Sequence, residues 1–369
     1  MRLLDRYLFR ELLTPLAYCL GGLVLLGNCF TLFGELEKLQ ESRLHFLDML
    51  EYSVATTPEF LVTVLPITLL FALLYALTHH ARYNEITAMR TAGISLWRIC
   101  APYFMVGVAA SGASFALNEL LVPVSTDWAT HIKNRYVQNA DNAEVQKTFQ
   151  GFTSPHRQWQ FGEYKIKTAE MIRPIVFWKT PNGSIQQLHA DLAVWTNHVW
   201  TFFNAAEYSQ ADAQSPLVPS LQTNELAMPD FDETPSQIKS EIKVNGYLRL
   251  GGVSQANIPL KDILGYLRLH PDPPRSASDR LLTELNERLA APWTCLVVVF
   301  IAIPCGAMSG RRNFFFGVAG IIAIGFIYFV IQKVSYAFGS GGELPGWLAA
   351  WLPNLIFGAT GLILMARAR

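Results

Sequence analysis

Apolar positions in this chain gather into six long runs, at 12–33, 60–78, 99–118, 289–308, 314–332 and 344–366, with a polar stretch at 122–280 between the third and the fourth. A helix rises 1.5 Å per residue, so a run of about 18 residues or more crosses the roughly 30 Å hydrocarbon core of a bilayer. Pro66, Pro102, Pro292, Pro304 and Pro353 lie inside these runs. Soluble core helices would break there, whereas membrane helices tolerate proline when neighbours re-satisfy the freed backbone groups. The first run exceeds the length of a signal-peptide core and no A-x-A site follows it. The pattern predicts a membrane α-helical fold of six transmembrane helices with one large domain inserted between the third and the fourth.

The polar stretch changes period. Alternation of two recurs in QWQFGEYKIK (158–167), RPIVFWKT (173–180), SIQQLHADLAVW (184–195), HVWTFFNAAEYS (198–209) and EIKVNGYLRL (241–250), with turn signals at PNGS (181–184) and TNH (196–198). These runs predict strands of an antiparallel β sandwich or open barrel. Trp159, Trp178, Trp195 and Trp200 sit in them, as core packing or as the wall of a lipid-chain groove. The Pro-, Ser- and Asp-rich segment 211–238 reads as a long loop, 259–269 as a helix, and PDPPRSAS (271–278) as a stiff linker. The domains are then 1–121 with three spans, 122–280 as the inserted all-β domain, and 281–369 with three more spans.

Charge supplies orientation. Arg2, Arg6, Arg10, Arg82, Arg90, Arg98, Arg311, Arg312, Arg367 and Arg369 fall on one set of flanks under strict alternation, and only Lys38, Arg43 and Lys333 on the other short loops. Basic residues favour the cytoplasmic side, so both termini, 79–98 and 309–313 are cytoplasmic and the inserted domain is outside. Arg2, Arg6 and Arg10 form one basic stripe on an interfacial helix entering the first span, suited to anionic headgroups. The formal net charge of zero argues against a nucleic-acid partner. The five cysteines all lie in apolar runs without C-x-x-C spacing and suggest neither a disulfide framework nor a metal site.

Signatures of catalysis are missing: there is no G-x-x-x-x-G-K-[ST], no G-x-S-x-G and no H-E-x-x-H. No cofactor is implied. Adjacent His79 and His80 read as a solvated or headgroup-facing pair, and Asn118 and Glu119 as the interfacial end of the third span. A chain without its own fuel does work only through a partner. The segment 78–98 suits that purpose. Asn84 is placed to N-cap a short helix through its side chain, and Glu85 follows at the positive end of the helix dipole. Ile86, Met89 and Arg90 share a face, Gly93 ends the helix and Ser95 caps the next. The segment is either a surface-lying connector or a rigid peg that passes a partner's motion to the spans.

Five stretches together resemble the LptF/LptG permease family of the lipopolysaccharide transporter: LLDRY (3–7), TPEFLVTVLPITLLFALL (57–74), NEITAMRTAGISLWRI (84–99), LTELNERLAAPWTCLVVVFIAIPCG (282–306) and LPGWLAAWLPNLIFG (344–358). The likeness covers essentially the whole chain, with the first and last stretches leaning toward LptG. It implies a jellyroll-like outer domain and a twelve-helix unit made with the other permease. An LptB ATPase dimer would sit beneath, and LptC and LptA would form the periplasmic bridge. Residues 84–93 would be the coupling helix, with Glu85, Ile86, Met89, Arg90 and Gly93 meeting the ATPase. Where some LptG relatives carry a lysine in the first span, this chain has Thr31.

An anionic lipid cargo makes outer-face cations candidate contacts: Lys38, Arg43, Lys133, Arg135 and Lys333, each equally suited to interfacial anchoring. Leu26, Phe30, Phe33, Phe326 and Phe329 would line an acyl-chain cavity, or else pack between helices or face bulk lipid. Two other readings stay open. One is a mechanotransmitting permease acting on a periplasmic protein, as in FtsX- or MacB-like systems, whose outer domain usually follows the first span. The other is a structural membrane scaffold with a β ectodomain.

Overall fold

A computed structural model describes residues 3–41, 46–134, 150–153, 157–165, 168–180, 184–210, 216, 218–249, 258–270, 273–307 and 314–367. The chain divides into two compact units, Met1–Ile132 with Arg275–Arg369, and Lys133–Pro274.

The first unit is helical. Its elements are α1 (Leu3–Glu41), α2 (Phe46–Arg82), α3 (Glu85–Thr91) and α4 (Leu96–Ala116); a single π-helical turn at Leu117–Leu121 joins α4 to α5 (Val122–Asn134). After the second unit come α8 (Arg275–Ala290), a 3-10 turn at Ala291–Trp293, α9 (Thr294–Ala307), α10 (Phe314–Ser340) and α11 (Gly346–Arg367). Six helical stretches among the described residues are long and apolar enough to cross a membrane, in the order the hydropathy pattern predicts. The helices overrun their apolar cores. The 39 residues of α1 extend about 58 Å, nearly twice the hydrocarbon thickness. Its first turns therefore stand clear of the apolar region and are free to carry charge.

Leu8 and Leu12 of α1, Leu69, Leu73 and Leu77 of α2, Ile99 and Tyr103 of α4, and Val299 and Ile303 of α9 share one buried cluster. The backbones of α9 and α11 come so close at Gly361 that an added Cβ would lie 2.8–2.9 Å from Phe300. Small residues at such crossings let membrane helices gain dispersion contact where no hydrophobic drive exists between them.

The second unit holds β1 (Gln150–Thr153), β2 (Arg157–Phe161), β3 (Glu163–Lys165), β4 (Glu170–Ile172), β5 (Ile175–Lys179), β6 (Ile185–His189), β7 (Leu192–Thr196), β8 (Val199–Gln210) and β9 (Val218–Met228), then α6 (Pro235–Arg249) and α7 (Leu260–Leu269). All pairings are antiparallel, and β8 meets both β6 and β7 along one edge and β9 along the other. The pairing of β2 with β5 and β3 with β4 repeats this arrangement. The sheet is thus a meander of long strands, each creased once. The crease runs across the sheet through Gly162, Arg173, Asp191 and Asn204, linked by Gly162 N–H to Ile172 O (3.1 Å), Arg173 N–H to Asp191 O (2.8 Å) and Asp191 N–H to Phe203 O (3.1 Å). Arg173 and Asn204 take left-handed φ values of 51° and 52° there, as bulged residues that bend a sheet do. The nearly closed sheet wraps fully buried Trp159, Phe161, Trp200 and Phe202, with Trp178 and Trp195 half-buried beside them. The tryptophans therefore form the core. Asn197 and His198, φ 51° and 64°, form the tight hairpin between β7 and β8 at the TNH signal. Residues 181–183 of the PNGS signal lie outside the described residues.

Three expectations fail here. Residues 275–278 of the expected stiff linker already belong to α8. Residues 241–249 are helix, within α6, and not a strand. Ile238, Glu241, Ile242, Val244 and Tyr247 are buried, a spacing near three that a helix face requires. The overlooked signal is TPSQ at 234–237. Thr234 N–H donates to Gln237 Oε1 (2.8 Å) and Gln237 N–H to Thr234 Oγ1 (3.4 Å), a capping box with proline at the first helical position. Segment 211–238 is likewise no plain loop, since β9 occupies 218–228. Its side chains are mostly exposed, so pairing with β8 defines it and its own periodicity does not.

Glu241 lies almost wholly buried on α6 with His270 Nδ1 3.5 Å from one oxygen. Burial pushes its carboxyl up to about 8 from an ordinary 4.5. A raised acid binds its proton more tightly folded than unfolded, so its contribution is complete below pH 4.5 and lost as pH rises toward 8. Tryptophan-monitored thermal unfolding of the whole chain from pH 5 to 8.5 should show falling stability, and Glu241→Gln should flatten that slope.

Candidate functional site

The short helix α3 is held by tight turns on both sides. Asn84 enters it in the left-handed conformation, φ 57° and ψ 19°, and makes no side-chain cap bond. The expected side-chain cap is therefore absent. Asparagine serves here as a residue that tolerates left-handed backbone, and its carbonyl accepts Ala88 N–H at 2.9 Å. Gly93, φ 84°, ends the helix as expected. Gly93 N–H reaches Arg90 O (3.0 Å) and Ile94 N–H reaches Met89 O (3.1 Å), the paired bonds of a Schellman end. Ser95 starts α4 through its carbonyl, which accepts Arg98 N–H (3.0 Å) and Ile99 N–H (3.2 Å), and not through its hydroxyl.

Glu85 does not hang free into solvent. Tyr7 Oη donates to its two oxygens at 3.1 and 3.3 Å, and His80 Nδ1 lies 2.7 Å from Oε2. The Glu85 side chain keeps a third of its surface exposed while His80 keeps 1%. The reading of His80 as a solvated histidine is thus overturned: the chain doubles back after α2 and brings Glu85 over the ring. His79 does lie outward, its ring between Tyr75 and Tyr83. Beside this group Arg98 Nη2 pairs with Asp5 Oδ2 at 2.9 Å. Residues 5, 7, 80, 85 and 98 therefore meet at one end of the bundle.

The faces of α3 differ. Ile86 is buried and Met89 packs against the core of the chain's own spans. Thr87, Ala88, Arg90 and Thr91 are exposed, as is Gly93. A partner can reach the second set and the open side of Glu85.

The apolar candidates Leu26, Phe30, Phe33, Phe326 and Phe329 are all exposed. They lie on α1 and α10, whose apolar windows are 6% and 11% buried against 33–56% for the other spans. Packing inside this chain leaves more than half of each of these side chains uncovered. Thr31 Oγ1 donates to Gly27 O at 3.0 Å within α1. Lys333 is exposed, its ammonium 5.5 Å from the Phe329 ring centroid. Lys38 lies in α1 and Lys133 in α5, but their side chains, like Arg43 and Arg135 entirely, fall outside the described residues.

A second polar group went unnoticed in the sequence. Arg288, 6% exposed in its side chain, sits 3.3 Å from Glu284 and 4.0 Å from Glu119 in the π turn. Gln332 donates to Glu287 at 2.6 Å and Tyr336 to Glu284 at 2.8 Å. Tyr328 donates to Asn354 at 2.9 Å, and Asn354 to Ala290 O at 2.8 Å. Tyr328, Gln332 and Tyr336 recur every four residues, so α10 turns hydrogen-bonding groups inward and apolar ones outward. That spacing was legible in the sequence; the partners were not. Glu119 is a neighbour of Arg288 within a continuing helix, more than an interfacial span end.

A search of curated proteins gives no match. The family described as lipopolysaccharide export system permease LptF/LptG matches residues 6–367, nearly the whole chain, and the chain belongs to that family.

Proposed function

We propose that the chain is a permease subunit of an ABC transporter that extracts lipopolysaccharide from the outer leaflet of the inner membrane and passes it to a periplasmic bridge. Both termini and α3 face the cytoplasm, and the β unit faces the periplasm, following the bias of arginines toward one set of flanks. An LptB dimer burns ATP and presses on α3. The other LptF/LptG permease completes the lipid path, and LptC and LptA continue it. Exposed Leu26, Phe30, Phe33, Phe326 and Phe329 meet acyl chains. Lys38, Arg43, Lys133, Arg135 and Lys333 meet the anionic headgroup or anchor the interface.

The observation that carries this reading is α3 itself, pinned by two tight turns and by Glu85. A loosely held loop would absorb an applied push; a helix fixed at both ends passes it on. A helix so fixed would serve a mechanotransmitter as well, and the family match favours lipid export over that reading and over the scaffold. Capture of the chain in mild detergent should bring down a cytoplasmic ATPase together with lipopolysaccharide. A periplasmic enzyme without lipid, or no companion at all, would contradict the proposal.

A further inference from the structure

The short helix α3 is joined by chain only to α2 and α4. The start of α1 nevertheless holds on to it. Tyr7 grips Glu85 of α3 at 3.1 Å, and two residues earlier Asp5 grips Arg98, in the first turn of α4, at 2.9 Å. Residues two apart on a helix project about 200° from one another, so the two grips act on different sides of the first two turns of α1. One grip would transmit a pull; two so placed also transmit a rotation.

His80 completes the arrangement. Its ring is 1% exposed, and Glu85 is its one hydrogen-bond partner among the described residues. Buried polar groups are ordinarily satisfied, yet among the described residues Nε2 has no partner, and neither has the buried Tyr103 hydroxyl on α4. What the histidine does is hold the Glu85 carboxylate where Tyr7 reaches it. Beyond its buried Leu8 and Leu12, α1 presents exposed Tyr18, Leu25, Leu26, Phe30 and Phe33. It meets α2 again at Gly27 beside Phe60 and at the Asn28–Thr57 bond (3.2 Å). A movement imposed on its first two turns thus passes into a long helix with one open side.

We infer that the first span is a directly driven element: α3 moves it through Tyr7, and the start of α4, which α3 leads into, moves it through Asp5, with His80 as the positioning residue of the Glu85 grip. This rests on the reading of α3 as the ATPase contact.

The test uses the assembled transporter in lipid nanodiscs, with its five native cysteines replaced and spin labels at the exposed positions 18 and 108. Trapping the ATPase with nucleotide should shift the distance between α1 and α4 in the parent. In a Tyr7→Phe, Asp5→Asn variant the shifted population should fall at least about tenfold, since the first substitution removes a bond to a charged group and the second weakens another. The swap of Asp5→Arg with Arg98→Asp, Tyr7 intact, should restore it. His80→Ala should weaken it, and His80→Asn, whose amide donates from the place of Nδ1, should recover it. A shift that survives in the Tyr7→Phe, Asp5→Asn variant overturns the inference. So does a parent that binds ATPase and releases lipid without any shift, an outcome that leaves the transport reading standing. Failure of the ATPase to co-purify removes that reading and this one together.

Discussion

Replacing Glu85 with alanine is expected to cut ATP-driven lipopolysaccharide release by about a hundredfold while leaving the chain in the membrane with its partner permease. The side chain accepts from Tyr7 and His80 and still exposes a third of its surface. Hydrogen bonds to a charged group each contribute roughly 1.5–3 kcal/mol, and alanine removes both. It also strands a buried imidazole, whose desolvation cost is no longer offset. The loss falls on the position of α3 and not on the packing of the spans, because Ile86 and Met89 keep their contacts with the core. Glu85→Gln retains one acceptor oxygen and should lose less. Gly93→Pro should act in the same direction as the alanine, since proline cannot take φ 84° or donate to Arg90 O. The measurement is lipid release from proteoliposomes alongside pull-down of the partner permease. Normal release by Glu85→Ala would remove Glu85 from the mechanism.

Replacing Arg288 with alanine should cost stability, by roughly 3–5 kcal/mol, the usual result of breaking a buried ion pair by deleting one partner. Its guanidinium is 6% exposed, between Glu284 at 15% and Glu119 at 20%. Without it the two carboxyl groups lose the cation they share across α8 and the π turn. Glu284 also holds Tyr336 of α10, so the seam along α10 should loosen as well. Combining Arg288→Met with Glu284→Gln and Glu119→Gln should recover most of the loss, because a packed neutral set replaces a buried charged one at little cost. Thermal unfolding in detergent measures both variants. A single substitution that leaves the midpoint unchanged would mean the cluster is solvated and idle.

The spans were legible because hydrocarbon thickness imposes a length that no other pattern imitates. Strands β2, β5, β6, β7 and β8 were legible because one face of each enters a core of Trp159, Phe161 and Trp200. Failure came where a second rule overrode the first. Residues 241–249 alternate by accident, while the capping box at Thr234 and Gln237 sets the helix. Strand β9 has almost no buried face to announce it. At the candidate site the end of α3 at Gly93 was readable, since one residue's backbone decides it. The attachment of Glu85 was not, because Tyr7 lies 78 residues away and Asp5 lies 93 from Arg98. Pattern along the chain carries no record of such pairings. Likewise His80 looks polar and solvated until the turn at Asn84 folds Glu85 onto it.

The central claim is that this permease moves lipid only when an ATPase pushes on α3. Proteoliposomes containing the chain and its partner permease, loaded with lipopolysaccharide and given ATP, test it directly. Release should be absent until the ATPase is added, and should vanish again when Glu85→Ala is used. Release in vesicles that hold no ATPase would contradict the account.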